Sequence, residues 1–170
     1  MPSLPASPRL EFRWWREQDL PLATALWCNP EVMAYLGGPR SAEEAKQRLH
    51  LEIDNAQRLG FQYWPIFERS SGEFAGCAGV KPYHDEPGTL EIGAHILRRF
   101  WSYGFGEEAA TAVIRFAFED LKVSGLAAGH HPANIHSKAL LHKLGFKFSH
   151  PEIWGPLQME HLFYRLGCSH

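Results

Sequence analysis

Apolar and polar residues alternate along Leu90–Leu97, and the alternation changes to helical spacing after a short gap. Alternation is typical of a β-strand, so one face carries Glu91, Gly93 and His95 while the opposite face is apolar. Beyond residue 106 the apolar positions form one stripe of a helix, made by Ala110, Val113, Ile114, Ala117, Phe118 and Leu121. The pattern therefore predicts a strand, a turn over Trp101–Gly106 and a helix that packs on a core.

Similar signals along the rest of the chain predict the order β-α-α-β-β-β-α-β-α-β-β. Helices are expected after Asp19, after the capping box Ser41–Glu44 and near Asn134, with a further helical turn over Glu31–Leu36. Gly60 is expected to end the second helix. The expected strands are Leu10–Trp14, Phe61–Phe67, Glu73–Val80, Leu90–Leu97, Val123–Gly129, one from Phe146, and one or two within Leu157–Leu166.

This order predicts an α/β fold with a mixed, mainly antiparallel central sheet and helices on both faces. Three consecutive strands favour antiparallel pairing, and the two strand–helix–strand crossovers after them favour mixed pairing. Pro65 lacks a backbone donor, which predicts an edge or bulged position for its strand. A length of 170 residues favours a single domain over residues 1–170, with residues 1–8 as an extended arm.

Charge and composition exclude several classes of function. The net charge is −2 and no run of Lys or Arg exceeds two residues, so no nucleic-acid-binding surface is expected. No apolar run approaches the ~20 residues that span a bilayer, and the N-terminus lacks the apolar segment of a secretory signal. Three scattered cysteines argue against a disulfide framework and favour a cytoplasmic setting. Cys77, in an apolar strand, is expected to be a buried small residue.

The turn over Trp101–Gly106 can receive an anion. A helix start carries unpaired N–H groups, and glycines let a phosphate approach the backbone, although turn geometry alone also explains such glycines. The flanking residues favour the anion site. Glu91-Ile92-Gly93 in the strand, followed by Trp101-x-x-Gly104-x-Gly106-x-Glu108-Ala109, resembles the acetyl-coenzyme A (acetyl-CoA) motif of the GNAT N-acetyltransferases, especially their RimJ/RimL-like, ribosomal-protein-alanine acetyltransferase branch.

A second motif supports this resemblance. Asn134-x-x-Ser137, followed by His142-Lys143-Leu144-Gly145-Phe146, is similar to the N-x-x-S…E-K-L-G-F signature of the same family, with His142 where Glu is common. Taken alone, Asn134, Ser137 and Gly145 are explained as helix caps. The two motifs occur in the family's order, and the predicted elements match the GNAT order, so the resemblance covers nearly the whole chain.

The resemblance implies an acetyl-CoA site and its residues. The strand backbone that binds the pantetheine arm corresponds to Ala94, His95 and Ile96. The loop that binds the pyrophosphate corresponds to Ser102, Tyr103, Gly104, Phe105, Gly106 and Glu107. Asn134 corresponds to the side chain that steadies the pantetheine near its thiol end. Two departures are Trp101, where most GNAT proteins have Gln or Arg, and Ser102, where the RimJ/RimL-like branch commonly has glycine.

Acyl transfer to an amine requires a base for the amine, stabilisation of an oxyanion and protonation of the departing thiolate. Glu91 is the expected base, because burial would raise its pKa, unless it pairs with an arginine; His95 and His84 are alternatives. A backbone N–H near His95 is expected to bind the oxyanion. The family's tyrosine acid falls on Leu141, so the resemblance implies Ser137 as its substitute, with a helix cap as the competing role.

The expected function is transfer of acetyl from acetyl-CoA to a primary amine, on a protein N-terminus or a small molecule, by direct attack in a ternary complex. One alternative is a CoA-binding module whose site no longer catalyses acetyl transfer. A dinucleotide-binding oxidoreductase is disfavoured, because the full G-x-G-x-x-G pattern and an early β-α-β unit are missing. No metal site is expected, since the histidine spacing matches no ligand pattern, and a homodimer is a family-level expectation.

Overall fold

The computed structural model describes residues 3–168, and within them the chain forms seven strands and four α-helices. The strands are β1 (Leu10–Phe12), β2 (Tyr63–Glu68), β3 (Phe74–Pro82), β4 (Thr89–Ile96), β5 (Gly125–His130), β6 (Lys147–Trp154) and β7 (Met159–Gly167). The helices are α1 (Leu20–Trp27), α2 (Ala42–Leu59), α3 (Phe105–Glu119) and α4 (Ile135–Lys143). The predicted order of elements is therefore confirmed.

All seven strands belong to one sheet with the order β1-β2-β3-β4-β5-β7-β6. β1 to β4 pair antiparallel with their sequence neighbours, and β7 pairs antiparallel with both β5 and β6. The β4–β5 pair alone among the described strands is parallel, because α3 carries the chain back across the sheet between them. The mixed, mainly antiparallel sheet predicted from the sequence is confirmed.

Helices cover both faces of the sheet. On one face, α3 and Leu141 of α4 pack with Leu10, Trp64 and Leu126 in the largest core cluster. On the other face, α1 and α2 pack against Tyr63 and Cys77. The alternation along β4 decides which residues meet which layer: Leu90, Ile92 and Ile96 face the α3 core, as their spacing predicted.

Local capping signals are confirmed in α2. The Ser41 hydroxyl accepts a hydrogen bond from the Glu44 N–H at 3.1 Å, and the Glu44 carboxylate accepts from the Ser41 N–H at 3.0 Å. Gly60 ends the helix in the left-handed region, at φ 81°, which residues with a Cβ rarely adopt. Together these two ends fix the length of α2 and so the position of its buried side chains.

Two local predictions hold only in part. Residues 31–36 form consecutive turns and not a regular helix, although the Met33 N–H donates to the Asn29 carbonyl at 3.1 Å and the Asn29 side-chain oxygen accepts the N–H groups of Glu31 and Val32, as at a helix start. β2 is an interior strand between β1 and β3, so Pro65 does not mark an edge. The alternative that the sequence left open is closer, since the β2–β3 register shifts directly afterwards, between Ile66 and Phe67.

The predicted N-terminal arm is described from residue 3, and residues 1 and 2 lie outside the described residues. Residues 3–8 form no helix or strand. Glu108 in the first turn of α3 accepts hydrogen bonds from the Ser7 hydroxyl and from the Arg9 backbone N–H and guanidinium. These contacts hold the segment against the helix that follows the proposed anion-binding turn.

Candidate active site

β4 and β5 diverge halfway along their length. Their parallel pairing comprises Thr89–Gly125, Leu90–Leu126 and Glu91–Ala127, and it ends there. From Ile92 to Ile96, β4 pairs with β3 alone, while the rest of β5 pairs with β7. The second half of β4 therefore presents a strand edge inside the sheet, facing a gap between two strands.

The free edge of β4 carries the backbone groups of Ala94 and Ile96. The Leu97 N–H donates to the Ala75 carbonyl at 2.9 Å, and His95 lies opposite Cys77 two residues earlier in β4. The backbone N–H and C=O groups of His95 therefore also point toward β3. Backbone groups alternate in direction along a strand, which turns the N–H and C=O groups of Ala94 and Ile96 toward the gap. Of the three residues implied for the pantetheine arm, two thus present their backbone to this gap.

A short 3-10 helix, Arg98–Tyr103, connects β4 to α3 and ends at Gly104, whose φ is 78°. The first hydrogen bond of α3 runs from the Glu108 N–H to the Gly104 carbonyl at 3.1 Å. The preceding amides of the helix therefore have no acceptor within α3 and carry its positive end. Residues 101–104 are exposed, so an anion can reach them from solvent.

Trp101 and Phe105 shape this turn in opposite ways. The Phe105 ring is fully buried in the α3 core, which anchors the start of the helix. The Trp101 ring is exposed, but its indole N–H donates to the Ile96 carbonyl at 2.7 Å. Trp101 therefore occupies one acceptor on the free edge of β4 and fixes the turn relative to the strand.

The second motif lies at the start of α4. The Asn134 side-chain oxygen accepts the Ser137 N–H at 3.2 Å, which is the helix-cap role. Its amide NH₂ group is not used by this cap. Leu141, at the position of the family's tyrosine acid, is buried in the α3 core. No tyrosine hydroxyl can therefore come from this helix position, and Ser137 is half-buried beside the cap.

Glu91 lies on the α1/α2 face of β4, with 14% of its side chain exposed. Burial raises the pKa of its carboxyl, the Lys81 ammonium at 3.8 Å opposes that shift, and the Glu152 charge adds to it. The ion-pair partner of Glu91 is Lys81 and not an arginine. A half-buried carboxylate with a raised pKa suits a general base near neutral pH.

His95 is held as a neutral residue. Its Nδ1 atom accepts the Trp27 indole N–H at 3.1 Å and lies 3.6 Å from the Cys77 thiol. Burial, with the nearby Arg48 charge, lowers the pKa of His95 to about 3. This occupied ring cannot serve as the base. Burial raises the pKa of Cys77 to about 12, which also makes that thiol a poor nucleophile.

Substituting His95 by Asn is expected to reduce the decrease in the free energy of unfolding as the pH is lowered below neutral. The folded imidazole protonates near pH 3, whereas the unfolded chain takes up a proton near the usual 6.5. Between these values the unfolded state binds more protons, so stability falls as the pH falls, by at most ~1.4 kcal/mol per pH unit from this residue. Urea unfolding at several pH values should show a smaller slope for the variant; equal slopes would contradict a neutral, buried His95.

Sequence reasoning missed Tyr63, which lies across the middle of β4. A Cβ placed on Gly93 would lie 2.5 Å from the Tyr63 hydroxyl oxygen, so the ring depends on that glycine. Burial, with the Glu91 charge, raises the pKa of Tyr63 well above its usual value, so the hydroxyl keeps its proton. Tyr63 belongs to β2, two strands from β4 in the sheet. In the sequence, the residue that indicates a side chain over this part of β4 is Gly93, between Glu91 and His95.

A family model described as "Acetyltransferase (GNAT) domain" matches residues 9–147 of the chain. The chain belongs to the GNAT acetyltransferase family. The match includes the divergent half of β4, the turn before α3 and the start of α4, and it removes the dinucleotide-binding alternative. Known GNAT proteins resemble this chain in both sequence and fold.

A Bacillus subtilis (strain 168) relative, "Uncharacterized protein YkkB", is 29% identical over 143 residues, which cover 83% of each chain. The solved structure of RimL, a ribosomal L7/L12 alpha-N-protein acetyltransferase in complex with coenzyme A, has a TM-score of 0.80 at 18% identity over 96% of each chain. A ribosomal-protein-S5-alanine acetyltransferase from Vibrio fischeri gives 0.79 at 16% identity over 97% of each chain. At these identities the likeness shows a shared fold.

Three further properties concern residues 3–168. Within residues 3–168, no group of three His, Cys, Asp or Glu side chains is arranged to hold a metal ion. None of the described helices has the length and apolar character that a bilayer span requires. Neither Cys28 nor Cys77 forms a disulfide.

Proposed function

We propose that this GNAT protein transfers an acetyl group from acetyl-CoA to a primary amine by direct attack in a ternary complex. The observation that carries the proposal is the free edge of β4, which ends at an exposed helix start and has the half-buried Glu91 on its α1/α2 face. The donor and the acceptor amine would meet at this strand from opposite sides.

The residues on the donor side fit acetyl-CoA. The backbone groups of Ala94 and Ile96 match an extended amide-bearing arm, as a missing strand would. The exposed turn at residues 102–104 and the amides of Phe105–Glu107, which have no acceptor within α3, match a diphosphate. The amide NH₂ of Asn134, which the helix cap does not use, lies at the start of α4, the helix that follows β5. When bound, acetyl-CoA supplies the activated acyl group; the chain positions it and excludes water.

On the acceptor side, Glu91 takes the proton from the amine. Tyr63 keeps its hydroxyl proton and lies next to Glu91 over Gly93, where it can donate a hydrogen bond to the reacting groups. An N–H on the free edge of β4, from Ala94 or Ile96, stabilises the oxyanion. Ser137 is assigned to hydrogen-bond the departing sulfur. The acceptor is a protein N-terminus or a small-molecule amine, in the cytoplasm, and the enzyme acts as a monomer or a homodimer.

A second candidate function is CoA binding without turnover, and the buried Leu141 in place of a tyrosine acid favours it. Incubation of the protein with acetyl-CoA and a panel of amines, with free thiol measured over time, separates the two. Amine-dependent thiol release supports the enzyme. Binding of CoA in a calorimeter without any thiol release would support the binding module.

Substituting Ala94 by Pro is expected to weaken CoA binding by roughly 10-fold, because it removes one N–H on the free edge and each such hydrogen bond is worth up to ~1.5 kcal/mol. The Ala94 N–H is not used in the β3–β4 pairing, so thermal stability should change little. Calorimetry with CoA measures the effect, and Ala94→Ser, which keeps the N–H, is the matched control. An unchanged Kd in the Pro variant would argue against pantetheine on this edge.

A further inference from the structure

A cluster of titratable side chains surrounds Glu152 on β6. The Tyr83 hydroxyl donates to its carboxylate, the His150 Nε2 atom lies 2.7 Å from Oε1, and the His84 Nε2 atom lies 3.1 Å from Oε1 and 3.0 Å from Oε2. The Glu152 side chain is 17% exposed, whereas that of His84 is 64% exposed. One carboxylate thus holds two histidines and a tyrosine at the boundary between the interior and solvent.

The charge of Glu152 fixes the tautomer of His84. Burial disfavours the carboxylate, but the hydrogen bonds from Tyr83, His150 and His84 outweigh burial and lower its pKa. A carboxylate only accepts hydrogen bonds, so the Nε2 atom of His84 must carry the proton. In the neutral ring the Nδ1 atom is then the acceptor, on a side chain that is 64% exposed. A carboxylate that accepts a hydrogen bond from an imidazole holds the ring in place and stabilises the imidazolium that forms when the ring takes up a proton.

The cluster lies on the same side of the sheet as Glu91. Tyr83 follows Lys81, the partner of Glu91, by two residues along the chain, and it belongs to one buried cluster with Ala127, which pairs with Glu91 across β4 and β5. The His84 ring packs on the Tyr83 ring with centroids 4.3 Å apart. His84 is therefore the exposed residue on this side, and it is near enough to Glu91 for a charge on its ring to oppose the raised pKa of that carboxyl.

Charged groups from several elements face His84 and Glu91. Lys81 from β3 lies beside Glu91, and Glu152 and His150 lie on β6. Glu86, in the same loop as His84, is paired with Arg165 of β7 at 2.7 Å, and that arginine also lies over the Tyr83 ring. The loop around His84 is thus held to β7 by the Glu86–Arg165 ion pair, and His84 itself contacts Glu152 of β6.

The proposed acetyl transfer has a proton balance that this cluster can serve. An aliphatic amine enters as an ammonium, RNH₃⁺, and the products are the amide RNHCOCH₃ and the thiol CoASH. The N–C bond forms and the C–S bond breaks, one proton from nitrogen goes to the thiolate, and one further proton must leave the site for solvent. Glu91, with 14% of its side chain exposed, needs an exit for that proton.

We infer that His84, oriented by Glu152, relays this proton from Glu91 to solvent. The inference rests on the proposed function, because it assigns the proton exit of that same site. Glu91 first accepts the proton from the ammonium. A water molecule then passes it to the Nδ1 atom of His84, the Glu152 carboxylate stabilises the imidazolium, and a buffer base removes the proton. His84 is a proton carrier in this scheme, and Glu152 is a positioning residue.

The test compares the wild type with His84→Ala, Glu152→Gln and, as the control, His50→Ala, whose histidine is exposed on α2. With acetyl-CoA and an accepted amine in dilute buffer, His84→Ala should lower kcat by roughly 10²-fold, at the low end for a positioned proton-transfer group. Added imidazole should restore the rate of His84→Ala but not change that of the wild type. Glu152→Gln should also lower kcat, with the KM for acetyl-CoA unchanged.

A double variant, Glu91→Gln with His84→Ala, separates a relay from a direct base. A relay predicts that the double variant is no slower than Glu91→Gln alone, because the two act in sequence. Wild-type kcat in His84→Ala, or a loss that imidazole does not restore, overturns the relay while the acetyltransferase activity stands. A nearly unimpaired Glu91→Gln beside an inactive His84→Ala would make His84 the base itself and also overturn the relay. A wild type that releases no thiol with any amine overturns both proposals.

Discussion

Replacing Glu91 by Gln is expected to lower kcat by roughly 10²–10³-fold, within the usual range for loss of a general base. Gln keeps the size and polarity of the side chain but cannot accept a proton. The KM for acetyl-CoA should change little, because Glu91 faces the α1/α2 side of β4 and not the gap toward β5. Steady-state thiol release with the best amine of the panel measures the effect.

The matched control is Glu160→Gln, which removes an exposed carboxylate of β7 and should leave kcat unchanged. The pH profile adds a second check. Since the base must be ionised, kcat/KM should rise with pH through the raised pKa of Glu91. Lys81→Met removes the cation that opposes this shift, so the acid limb should move to higher pH. A Glu91→Gln variant at wild-type rate, with an unchanged profile, would remove Glu91 from the mechanism.

Replacing Glu52 by Ala is expected to destabilise the fold by roughly 3 kcal/mol, at the low end of the range for breaking a buried ion pair. Glu52 is buried in α2, where its carboxylate accepts the Tyr63 N–H at 2.8 Å and the Arg48 guanidinium at 2.6 Å. Its loss leaves both donors without this acceptor. The Arg48 side chain keeps 28% of its surface exposed, which limits the penalty.

Chemical unfolding of the two proteins at neutral pH gives the difference in the free energy of unfolding. Asp54→Ala provides the control, because the Asp54–Arg58 pair has the same spacing on the same helix but is largely exposed. That exposed pair is worth about 0.3–0.5 kcal/mol. If Glu52→Ala and Asp54→Ala cost similar free energies, the buried carboxylate does not secure α2 to β2.

The positioning role of Glu52 extends to the site. The Arg48 guanidinium, held by Glu52, lies 5.0 Å from the ring centroids of both Trp27 and Tyr63. Trp27 in turn donates to His95, and Tyr63 covers Gly93. Loss of Glu52 is therefore expected to loosen the α1/α2 face of β4 even where the protein remains folded.

Features that depend on short stretches of chain were predictable from the sequence. The alternation over Leu90–Leu97, the Ser41–Glu44 capping box and the glycine that ends α2 are each set within a few residues, and the structure confirms them. The motifs before α3 and at α4 identified the family for the same reason, since each lies within one turn or helix start. The order of elements then restricted the sheet to few topologies.

Properties of the site that depend on distant residues were decided only by the tertiary structure. The sequence left Glu91, His95 and His84 as alternative bases, and the contacts of His95 with Trp27 and Cys77, on other elements, remove it. The covering of Gly93 by Tyr63 and the binding of His84 to Glu152 depend on which strands and loops become neighbours.

The physical reason is that residue type sets what a side chain can donate, accept or ionise, whereas burial and partners set what it does. A histidine in an alternating strand has the same sequence pattern whether it faces solvent or a tryptophan indole. Strand pairing and register decide that question, because a sheet brings together residues far apart in the chain. The sequence by itself therefore determined the family, the order of elements and the list of candidate groups, whereas the packing of α1 and α2 on the sheet, and of β6 on the loop of His84, set the burial and the partners of those groups.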